Sequence, residues 1–416
     1  MSQILLFVES NTTGTGMLAL KQARSWGLRP MFLTHNPDRY LGLSETGADV
    51  LVCDTNSLDA LRATIRENVK AEELAGIATT SEFYLEACAE IAREYGLPGN
   101  PPDAIRTCRN KALTRQTLLE AGVHQPRFAK VQRPEQVAAA VAEVGLPLVV
   151  KPADDSGSNF VKLCRTEEEV HAQAEQILAV HTNARGQQTA QTVLLEQFLD
   201  APEYSVEMFS WEGKTTLVGI TQKTLTGFPF FVESKHIFPA PVSEDVWEQM
   251  RVTVERALAA TGIRNGATHT EIKWTEQGAA IVEINARLAG GMIPELIRHA
   301  TGIDLLETQI RSAVQEPQGL AAEYRCHAGI RFLIAETSGV LQAIEGVDAA
   351  RALPGIEQIA VTKQAGAQVQ PPQNFSHRLG FVIATGATAE ETEARLDAAL
   401  KQIQVVVTPQ PITQQA

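Results

Sequence analysis

The chain has 416 residues, of which 44% are hydrophobic and 20% are charged. That length is enough for two or three domains, each able to bury its own apolar core. The formal charge of -13, without a block of Lys or Arg residues, argues against a nucleic-acid partner, because phosphate backbones are bound by clustered positive charge. No apolar run approaches the roughly 20 residues that span a bilayer, so we expect no membrane association.

The N-terminal segment MSQILLFVES lacks a basic stretch and a small-residue cleavage site. We therefore expect a cytoplasmic protein rather than an exported one. The five cysteines are scattered and form no C-x-x-C pair, which indicates neither a disulfide framework nor a zinc site.

The first hundred residues alternate short apolar runs with helical stretches. ILLFV, PMFLT, DVLVC and GIATT predict strands, and helices are predicted over 15–26, 57–70 and 82–95. This alternation is typical of an open parallel sheet. The Gly- and Pro-rich segment GLPGNPPDAI predicts a break, so we place the first domain boundary there.

Two loops of this first unit have the character of ligand-binding turns. SNTTGTG follows the first strand and resembles a nucleotide-binding glycine turn, but we favour a scaffold that no longer binds a dinucleotide. The alternative is that this loop lines a substrate cleft. Residues 79–82, TTSE, end a strand where ligands often bind in such sheets, although a helix N-cap explains them equally well.

The rest of the chain changes from strand–helix alternation to longer series of strands. Further strands are predicted at GLPLVVKP, TVLLEQF, EYSVEMFSW, TTLVGITQK, THTEIKWT, AAIVEINAR, GIRFLIA, IEQIAVT and LGFVIATG. Helices are predicted around 109–121, 166–182, 243–260, 292–300 and 388–402. The polar stretch HTNARGQQTAQ predicts a loop or the edge of a lid.

The segment IVEINARLAGG carries the sharpest functional pattern. Glu283, Asn285 and Arg287 lie two residues apart, so a strand would present all three on one face. Carboxylate and amide oxygens bind Mg²⁺, and a guanidinium binds phosphoryl oxygens with two N–H groups at once. The alternating Val282 and Ile284 would then face the core.

The preceding segment THTEIKWT carries a second polar face, in which His269, Glu271 and Lys273 alternate along a predicted strand. A turn at TEQG would form a hairpin that brings Glu271 and Glu283 together. Two facing carboxylates make a cation site. The alternative is an ordinary hairpin, whose polar residues face solvent with the same alternation.

Two lysines adjoin segments that suit phosphate. Lys151 ends the strand-like run GLPLVVKP, and the polar loop at 154–159 that follows can offer backbone N–H groups. The lysine precedes the loop, so this is not a P-loop, and a surface hairpin is the alternative. Lys111 begins a predicted helix in CRNKALTRQTL, and alone it is an ordinary surface lysine.

The segment LLEQFLDAPEYSVEMF runs from an apolar strand into Glu196, Gln197, Phe198 and Leu199. Extended backbone of this kind can meet an adenine edge, and the carboxylate of Glu203 can accept ribose hydroxyls. The alternative is a connection between domains that carries solvated acids.

Taken in order, CRNK, LPLVVKPADDSGS, LLEQFLDAPEYSVE, HTEIKW and VEINARLAGGMIP resemble the ATP-grasp superfamily over nearly the whole chain. Within it, the chain is most similar to the L-amino-acid ligases and dapdiamide-synthase-like enzymes, which share the TTSEFY, GLPGNPP and FFVES-x-H segments. The resemblance implies a mixed α/β and α+β fold. It implies a Rossmann-like domain at 1–106, an ATP-grasp core at 107–305 with a lid at about 126–195, and a C-terminal domain at 306–416.

The resemblance also implies roles for individual residues. For ATP, it implies phosphate contacts from Lys111, Lys151, Ser156, Gly157 and Ser158, adenine contacts from Glu196, Gln197, Phe198 and Leu199, and a ribose contact from Glu203. Two Mg²⁺ ions, replaceable by Mn²⁺, would be bound by Glu271, Glu283 and Asn285, and Arg287 would lie beside the transferring phosphoryl group. Candidates for the catalytic base, from resemblance and residue type, are Glu233, His236 and His269.

Two positions depart from the pattern of related enzymes. Asn110 stands where many relatives have Asp, which removes a carboxylate at the start of a helix but no catalytic group. Lys235 precedes the histidine where similar enzymes often have glycine, so we expect a differently shaped substrate pocket.

We therefore expect an ADP-forming carboxylate–amine ligase that works through an acyl phosphate. Its small-molecule substrates would be two amino acids, or an amino acid and a small acyl acid. Homodimers are common among such enzymes, although the sequence does not show one. One alternative is a biotin-carboxylase-like or purine-pathway-like enzyme that uses bicarbonate or formate, but no biotinyl domain is recognisable. Another is a non-catalytic ATP-binding regulatory module, against which the intact metal ligands argue.

Overall fold

The structure, a computed structural model, describes residues 3–12, 15–315, 319–320 and 322–409. Residues 13 and 14 of the predicted glycine turn lie outside the described residues. In the described part of the chain, no helix is both long and apolar enough to cross a membrane.

The N-terminal part forms a parallel sheet, as predicted, and its strand order is β3-β2-β1-β4. Its strands are β1 (Ile4–Val8), β2 (Arg29–Thr34), β3 (Asp49–Val52) and β4 (Leu74–Ala78), and its helices are α1 (Gly16–Ser25), α2 (Leu58–Asn68) and α3 (Leu85–Tyr95). Strand β1 is completely buried, because helices cover both faces of a parallel sheet. The carboxyl ends of β1 and β4 therefore open on the same edge.

The predicted break at GLPGNPPDAI is only partly right. Helix α4 (Pro102–Arg109) begins within it, because proline is well suited to the first turn of a helix. The proposed boundary after residue 106 therefore falls inside α4. Helix α5 (Lys111–Glu120) follows at once, and the side chain of Asn110 caps it by accepting hydrogen bonds from the N–H groups of Ala112 and Leu113.

The next unit is a small antiparallel sheet in the order β5-β8-β6-β7. Its strands are β5 (Phe128–Val131), β6 (Leu148–Pro152), β7 (Lys162–Cys164) and β8 (Val193–Gln197), and its helices are α6 (Val137–Val144) and α7 (Glu167–Leu178). Both helices pack on one face of the sheet, and their Val, Ala and Ile side chains form a separate core. The segment forms a unit of the kind expected for a lid.

A large antiparallel sheet forms the centre of the molecule, in the order β13-β12-β9-β10-β11 followed by three strands of the C-terminal part. Its first five strands along the chain are β9 (Glu203–Trp211), β10 (Lys214–Thr226), β11 (Val232–Phe238), β12 (Gly266–Thr275) and β13 (Gly278–Asn285). Helices α8 (Glu244–Thr261), α9 (Ile293–Thr301) and α10 (Leu305–Ser312) accompany them. The boundary proposed after residue 305 falls at the first residue of α10.

The C-terminal part adds strands to the edge of the same sheet. Its elements are β14 (His327–Leu333), β15 (Gly339–Glu345), α11 (Val347–Arg351), β16 (Ile356–Val361), β17 (Gln368–Val369), β18 (Gly380–Gly386), α12 (Ala389–Gln402) and β19 (Gln404–Pro409). Strand β14 pairs with β11, so the C-terminal part is continuous with the centre of the molecule. Strands β17, β15 and β19 form a second small sheet.

Candidate functional site

A cavity of ≈ 860 Å³, including the open space at its mouth, lies between the lid sheet and the central sheet. Most of the predicted ATP and metal residues line it. They are Lys111, Lys151, Ser156, Gly157, Ser158, Glu196, Gln197, Phe198, Leu199, Glu203, Glu271 and Glu283, and Glu233 lines it as well. Segments that are more than a hundred residues apart in the chain thus meet at one site.

The floor of the cavity is one face of the strands β9, β12 and β13. The predicted hairpin is present, and Glu271 pairs directly with Glu283 across it. His269 pairs with Asn285 in the same hairpin and with Glu207 on the other side, in β9. Because side chains alternate between faces, these residues all project from one face of the sheet.

The strict alternation predicted for β13 is broken next to Glu283. A bulge shifts the pairing from Glu271 opposite Glu283 to Ile272 opposite Ile281. Val282 is the extra residue, and it lines the cavity instead of facing the core as predicted. Strand β13 ends at Asn285, so Arg287 lies beyond the strand.

The carboxylates on this floor are neutralised by lysine ammonium groups. Lys111 Nζ lies 3.2 Å from Glu283 Oε1. Lys223 Nζ lies 2.7 Å from Glu271 Oε1, 2.7 Å from Glu233 Oε1 and 3.2 Å from Glu203 Oε1. Burial opposes protonation of Lys223, but the three carboxylates outweigh it and hold its pKa well above the usual value.

Lys223 was not identified from the sequence. It lies inside the long strand β10, in TTLVGITQK, where alternation alone suggests an exposed lysine, but its side chain is 1% exposed. The signal that could have identified it is the density of acidic residues on the neighbouring strands.

The donor set fits a divalent cation that is also bound to a nucleotide. Glu271, Glu283 and Asn285 offer two facing carboxylates and an amide, which are hard oxygen ligands. In the described residues, no group of three His, Cys, Asp or Glu side chains could hold a metal alone. Mg²⁺ suits such an incomplete set, because it usually keeps several waters and takes the remaining ligands from substrate phosphates.

The two predicted phosphate lysines both line the cavity, and each has a partner of its own. Lys111 Nζ donates to the carbonyl of Asp155, at the start of the phosphate loop. Lys151 Nζ lies 2.7 Å from Glu196 Oε2, and Arg115 Nε donates to Glu196 Oε1 over 2.6 Å. Burial lowers the pKa of Lys151. Burial disfavours ionisation of Glu196, yet Arg115 and Lys151 bring its pKa down to about 2.

Glu196 belongs to the segment expected to line adenine, and its carboxylate holds these two cations. Gln197, Phe198 and Leu199 continue past it along the cavity wall. Glu203, expected near the ribose, lies 3.2 Å from both Lys223 and Lys273.

The phosphate loop is shaped by left-handed backbone at two of its residues. Gly157 has φ +72° and Ser158 has φ 59°. A Cβ atom at Gly157 would lie 2.4 Å from the ring of Phe375 in the C-terminal part, so only glycine fits under this ring. The C-terminal part therefore contacts the loop that would cover the ATP phosphates.

Arg287 is held by a residue of the N-terminal part. Its Nε and Nη2 donate to Glu82 Oε2 over 2.9 and 2.7 Å, and Arg109 donates to the other oxygen. The amide of Asn285 lies 3.2 Å from Glu82 Oε1 as well. Burial disfavours ionisation of Glu82, but Arg287, Arg109 and Lys111 outweigh it and lower its pKa to about 2. Of the two interpretations of TTSE, the structure supports a role at the site.

The three candidate bases have different surroundings. Glu233 accepts a hydrogen bond of 2.8 Å from Arg378, and its pKa lies well below the usual value because the charge of Lys223 outweighs its burial. His236 is buried, both ring nitrogens lack a hydrogen-bond partner among the described residues, and burial lowers its pKa. His269 is buried too, but Glu207 and Glu271 raise its pKa to about 9. His269 is therefore protonated near neutral pH, which does not favour it as a base.

Arg378 is a further residue that the sequence did not identify. It comes from the segment before β18, and its guanidinium carbon lies 3.6 Å from the centroid of the Phe332 ring. The aromatic ring and Glu233 together fix its orientation. Nothing in its local sequence distinguishes it from a surface arginine.

The lid and the N-terminal part are in direct contact. Arg185, in the predicted lid-edge loop, donates to the carbonyl of Ser10 over 2.8 Å and to the hydroxyl of Tyr40 over 3.0 Å. Asn56 donates to the Arg185 carbonyl over 2.8 Å. The structure therefore places the predicted lid-edge loop against the N-terminal sheet.

Two facing carboxylates, buried cations and a glycine-containing loop are features that suit a metal–nucleotide complex. Residues 144–295 match the ATP-grasp domain family, and residues 331–408 match the family described as L-amino acid ligase C-terminal domain 2. The chain is 32% identical over 98% of its length to an uncharacterised protein, y4rH, of Sinorhizobium fredii, and covers 84% of that protein.

Two further similarities concern proteins with named activities. The chain is 26% identical to carnosine synthase 1 of Gallus gallus over 78% of its own length, but it spans only 37% of that protein. A crystal structure of an L-amino acid ligase from Bacillus licheniformis superposes with a TM-score of 0.82 and 22% identity, covering 98% of this chain and 99% of that one. The predicted fold class is thereby confirmed.

The chain belongs to the family of ATP-grasp ligases. More narrowly, it belongs to the group that carries the L-amino acid ligase C-terminal domain, as the resemblance predicted.

Proposed function

We propose that this protein is an ADP-forming ligase that joins two amino acids through an acyl-phosphate intermediate. The observation that carries the proposal is the pair Glu271 and Glu283, facing each other on the cavity floor with Asn285 beside them. Mg²⁺ bound there would neutralise charge on the ATP phosphates. All other steps depend on side chains of the protein.

The first step requires positive charge. A carboxylate is a poor electrophile, and its attack on the γ-phosphate brings anions together, so charge on the phosphoryl oxygens must be neutralised. We propose Lys111, Lys151 and Arg287 as the protein cations that do this; Lys111 and Lys151 line the cavity. Glu82 orients the Arg287 guanidinium with two hydrogen bonds to one oxygen, which leaves Nη1 directed at the carbonyl of Leu288.

The second step requires the exclusion of water, because an acyl phosphate reacts with water as well as with an amine. In this proposal the lid, whose edge loop Arg185 holds against the N-terminal part, supplies this exclusion. An incoming ammonium must also lose a proton before it attacks. We propose His236 as the base, because burial lowers its pKa and neither ring nitrogen makes a hydrogen bond in the described part of the chain, although Nε2 lies 3.6 Å from Glu233 Oε2.

The relatives support amino acids as both substrates, since carnosine synthase and the L-amino acid ligase carry such activities in their names. Our proposal also includes two Mg²⁺ ions, with Mn²⁺ as a substitute, a cytoplasmic location and a homodimer. The domain boundaries at 106 and 305 remain part of the proposal.

The test is phosphate release from MgATP in the presence of paired amino acids and small acids, with mass spectrometry of the products. We expect release that depends on the pair, together with a product of the mass of the new amide. Release with bicarbonate alone would indicate a carboxylase instead. ATP binding without any turnover would indicate a regulatory module.

A further inference from the structure

A row of three polar residues lies beside the two facing carboxylates, on the same face of the central sheet. Glu207 in β9, His269 in β12 and Asn285 in β13 are direct neighbours across their strands. The proposed function assigns Asn285 to the cation but gives Glu207 no part. Glu207 is nevertheless 2% exposed, and burying a carboxylate is costly.

His269 is the only charged partner of Glu207 among the described residues. His269 Nδ1 lies 2.9 Å from Glu207 Oε1 and 3.1 Å from Oε2. Ser205 donates from its hydroxyl to Glu207 Oε1 over 2.7 Å. A buried ion pair of this kind adds little to stability compared with apolar side chains of similar volume, so its presence points to another role.

The other nitrogen of the imidazole faces a metal-site carboxylate. His269 Nε2 lies 3.4 Å from Glu271 Oε1, which Lys223 also contacts over 2.7 Å. Both contacts reach the same oxygen, and within the described ranges no hydrogen bond reaches Glu271 Oε2. Glu271 is therefore held by one oxygen while the other remains available to a cation.

We propose that Glu207 and His269 are positioning residues, which fix Glu271 in the orientation that binds the divalent cation. The inference depends on the proposed function, since it assumes the cation site at Glu271 and Glu283. Glu207 fixes the plane of the His269 imidazole, and the imidazole in turn fixes the orientation of the Glu271 carboxylate. Second-layer groups of this kind typically change metal affinity by about 10- to 100-fold when they are removed.

The test compares Mn²⁺ affinity with nucleotide affinity in the full-length protein. Glu207→Gln retains the size and the hydrogen bond from Ser205 but weakens the hold on His269. We expect Mn²⁺ binding in the presence of ADP, followed by electron paramagnetic resonance, to weaken by about 10-fold or more. ADP affinity measured by calorimetry without metal should stay within about twofold.

The matched control is Glu295→Gln. Glu295 also pairs with a histidine, His299, over 3.3 Å, but on helix α9 and outside the cavity. Glu295→Gln should leave the affinities for Mn²⁺ and for ADP unchanged. If Glu207→Gln does not fold, Ser205→Ala removes a single donor to Glu207 and should give a smaller loss of Mn²⁺ affinity in the same direction.

Unchanged Mn²⁺ affinity in a folded variant would overturn the positioning role, and so would an equal loss of Mn²⁺ and ADP affinity. Either result would leave the proposed function intact, provided that the wild-type protein binds Mn²⁺ with ADP. If the wild type itself bound no Mn²⁺, the cation site would fail and both proposals with it.

Discussion

At the scale of single residues, charge on the cavity floor is balanced by close pairing. Glu283 is matched by Lys111 and Glu271 by Lys223. These lysines occupy positions next to the oxygens that a cation would use. Binding of a metal–nucleotide complex must therefore redistribute these ion pairs, which makes each floor carboxylate sensitive to substitution.

The substitution Glu283→Gln tests this most simply. It keeps the shape of the side chain but removes a charged oxygen, so we expect turnover to fall by about 10²-fold or more. The control is Glu276→Gln, on the exposed turn of the same hairpin, which should retain wild-type turnover. Wild-type turnover of Glu283→Gln would refute the metal assignment.

His236 makes stability depend on pH. Burial lowers its pKa below the value of 6.5 expected in an unfolded chain. As the pH falls below 6.5, the unfolded state takes up a proton that the native state does not, so the free energy of unfolding falls. The slope from this group is at most about 1.4 kcal/mol per pH unit.

Denaturant titrations at several pH values between about 7.5 and about 5 would measure this effect, because this range spans the pKa of histidine in an unfolded chain. His236→Gln should reduce the loss of stability on acidification, and His181→Gln, at an exposed position, is the control. An identical pH dependence in wild type and His236→Gln would show that burial does not lower the pKa of this imidazole in the native state.

At the scale of elements, the cap of α5 connects helix stability with the phosphate site. Asn110 caps the helix over 3.0 and 3.2 Å, and Lys111 is the next residue. Asn110→Ala should lower the free energy of unfolding by about 1 kcal/mol and also weaken ATP binding, because the start of the helix positions Lys111.

Thermal unfolding and ATP titration measure the two effects separately. Thr166→Ala removes the equivalent cap of α7, where Thr166 accepts from the Glu169 N–H over 3.3 Å, far from Lys111. Thr166→Ala should lower the free energy of unfolding by a similar amount without changing ATP affinity. Equal ATP affinities in Asn110→Ala and Thr166→Ala would show that the Asn110 cap does not position Lys111 for ATP binding. Asn110→Asp should restore both properties.

The hairpin of β12 and β13 shows what sequence can predict at this scale. Alternation and a turn signal are local, so Glu271 opposite Glu283 was predicted correctly. The bulge at Val282 was not, because strict alternation contains no information about an extra residue in a pair. Strand β11, with Glu233 and His236, was also missed, since its charged residues obscure the alternation.

At the scale of the whole molecule, the site is assembled from distant parts of the chain. Glu82 from the N-terminal part holds Arg287, and Arg378 from the C-terminal part holds Glu233. Neither partner could be deduced from sequence, because an ion pair between remote segments depends on the folded arrangement. Lys223 escaped prediction for the same reason, since its acidic partners lie on other strands.

The fold itself could be predicted, because the motifs from CRNK to VEINARLAGGMIP follow one another along the chain in the order that the ATP-grasp fold requires. The roles of the individual residues depend on what binds. In the proposed reaction a carboxylate attacks the γ-phosphate of ATP, and the cation-rich cavity is the structural basis for this step.

The most direct test is an isotope-transfer measurement. Turnover of an amino-acid pair whose carboxyl donor carries ¹⁸O in its carboxylate should place one ¹⁸O atom in the released phosphate, because the acyl phosphate transfers that oxygen when the amine displaces it. Mass spectrometry of the phosphate reads the result. Unlabelled phosphate alongside amide product, or release of AMP and pyrophosphate, would contradict the acyl-phosphate route.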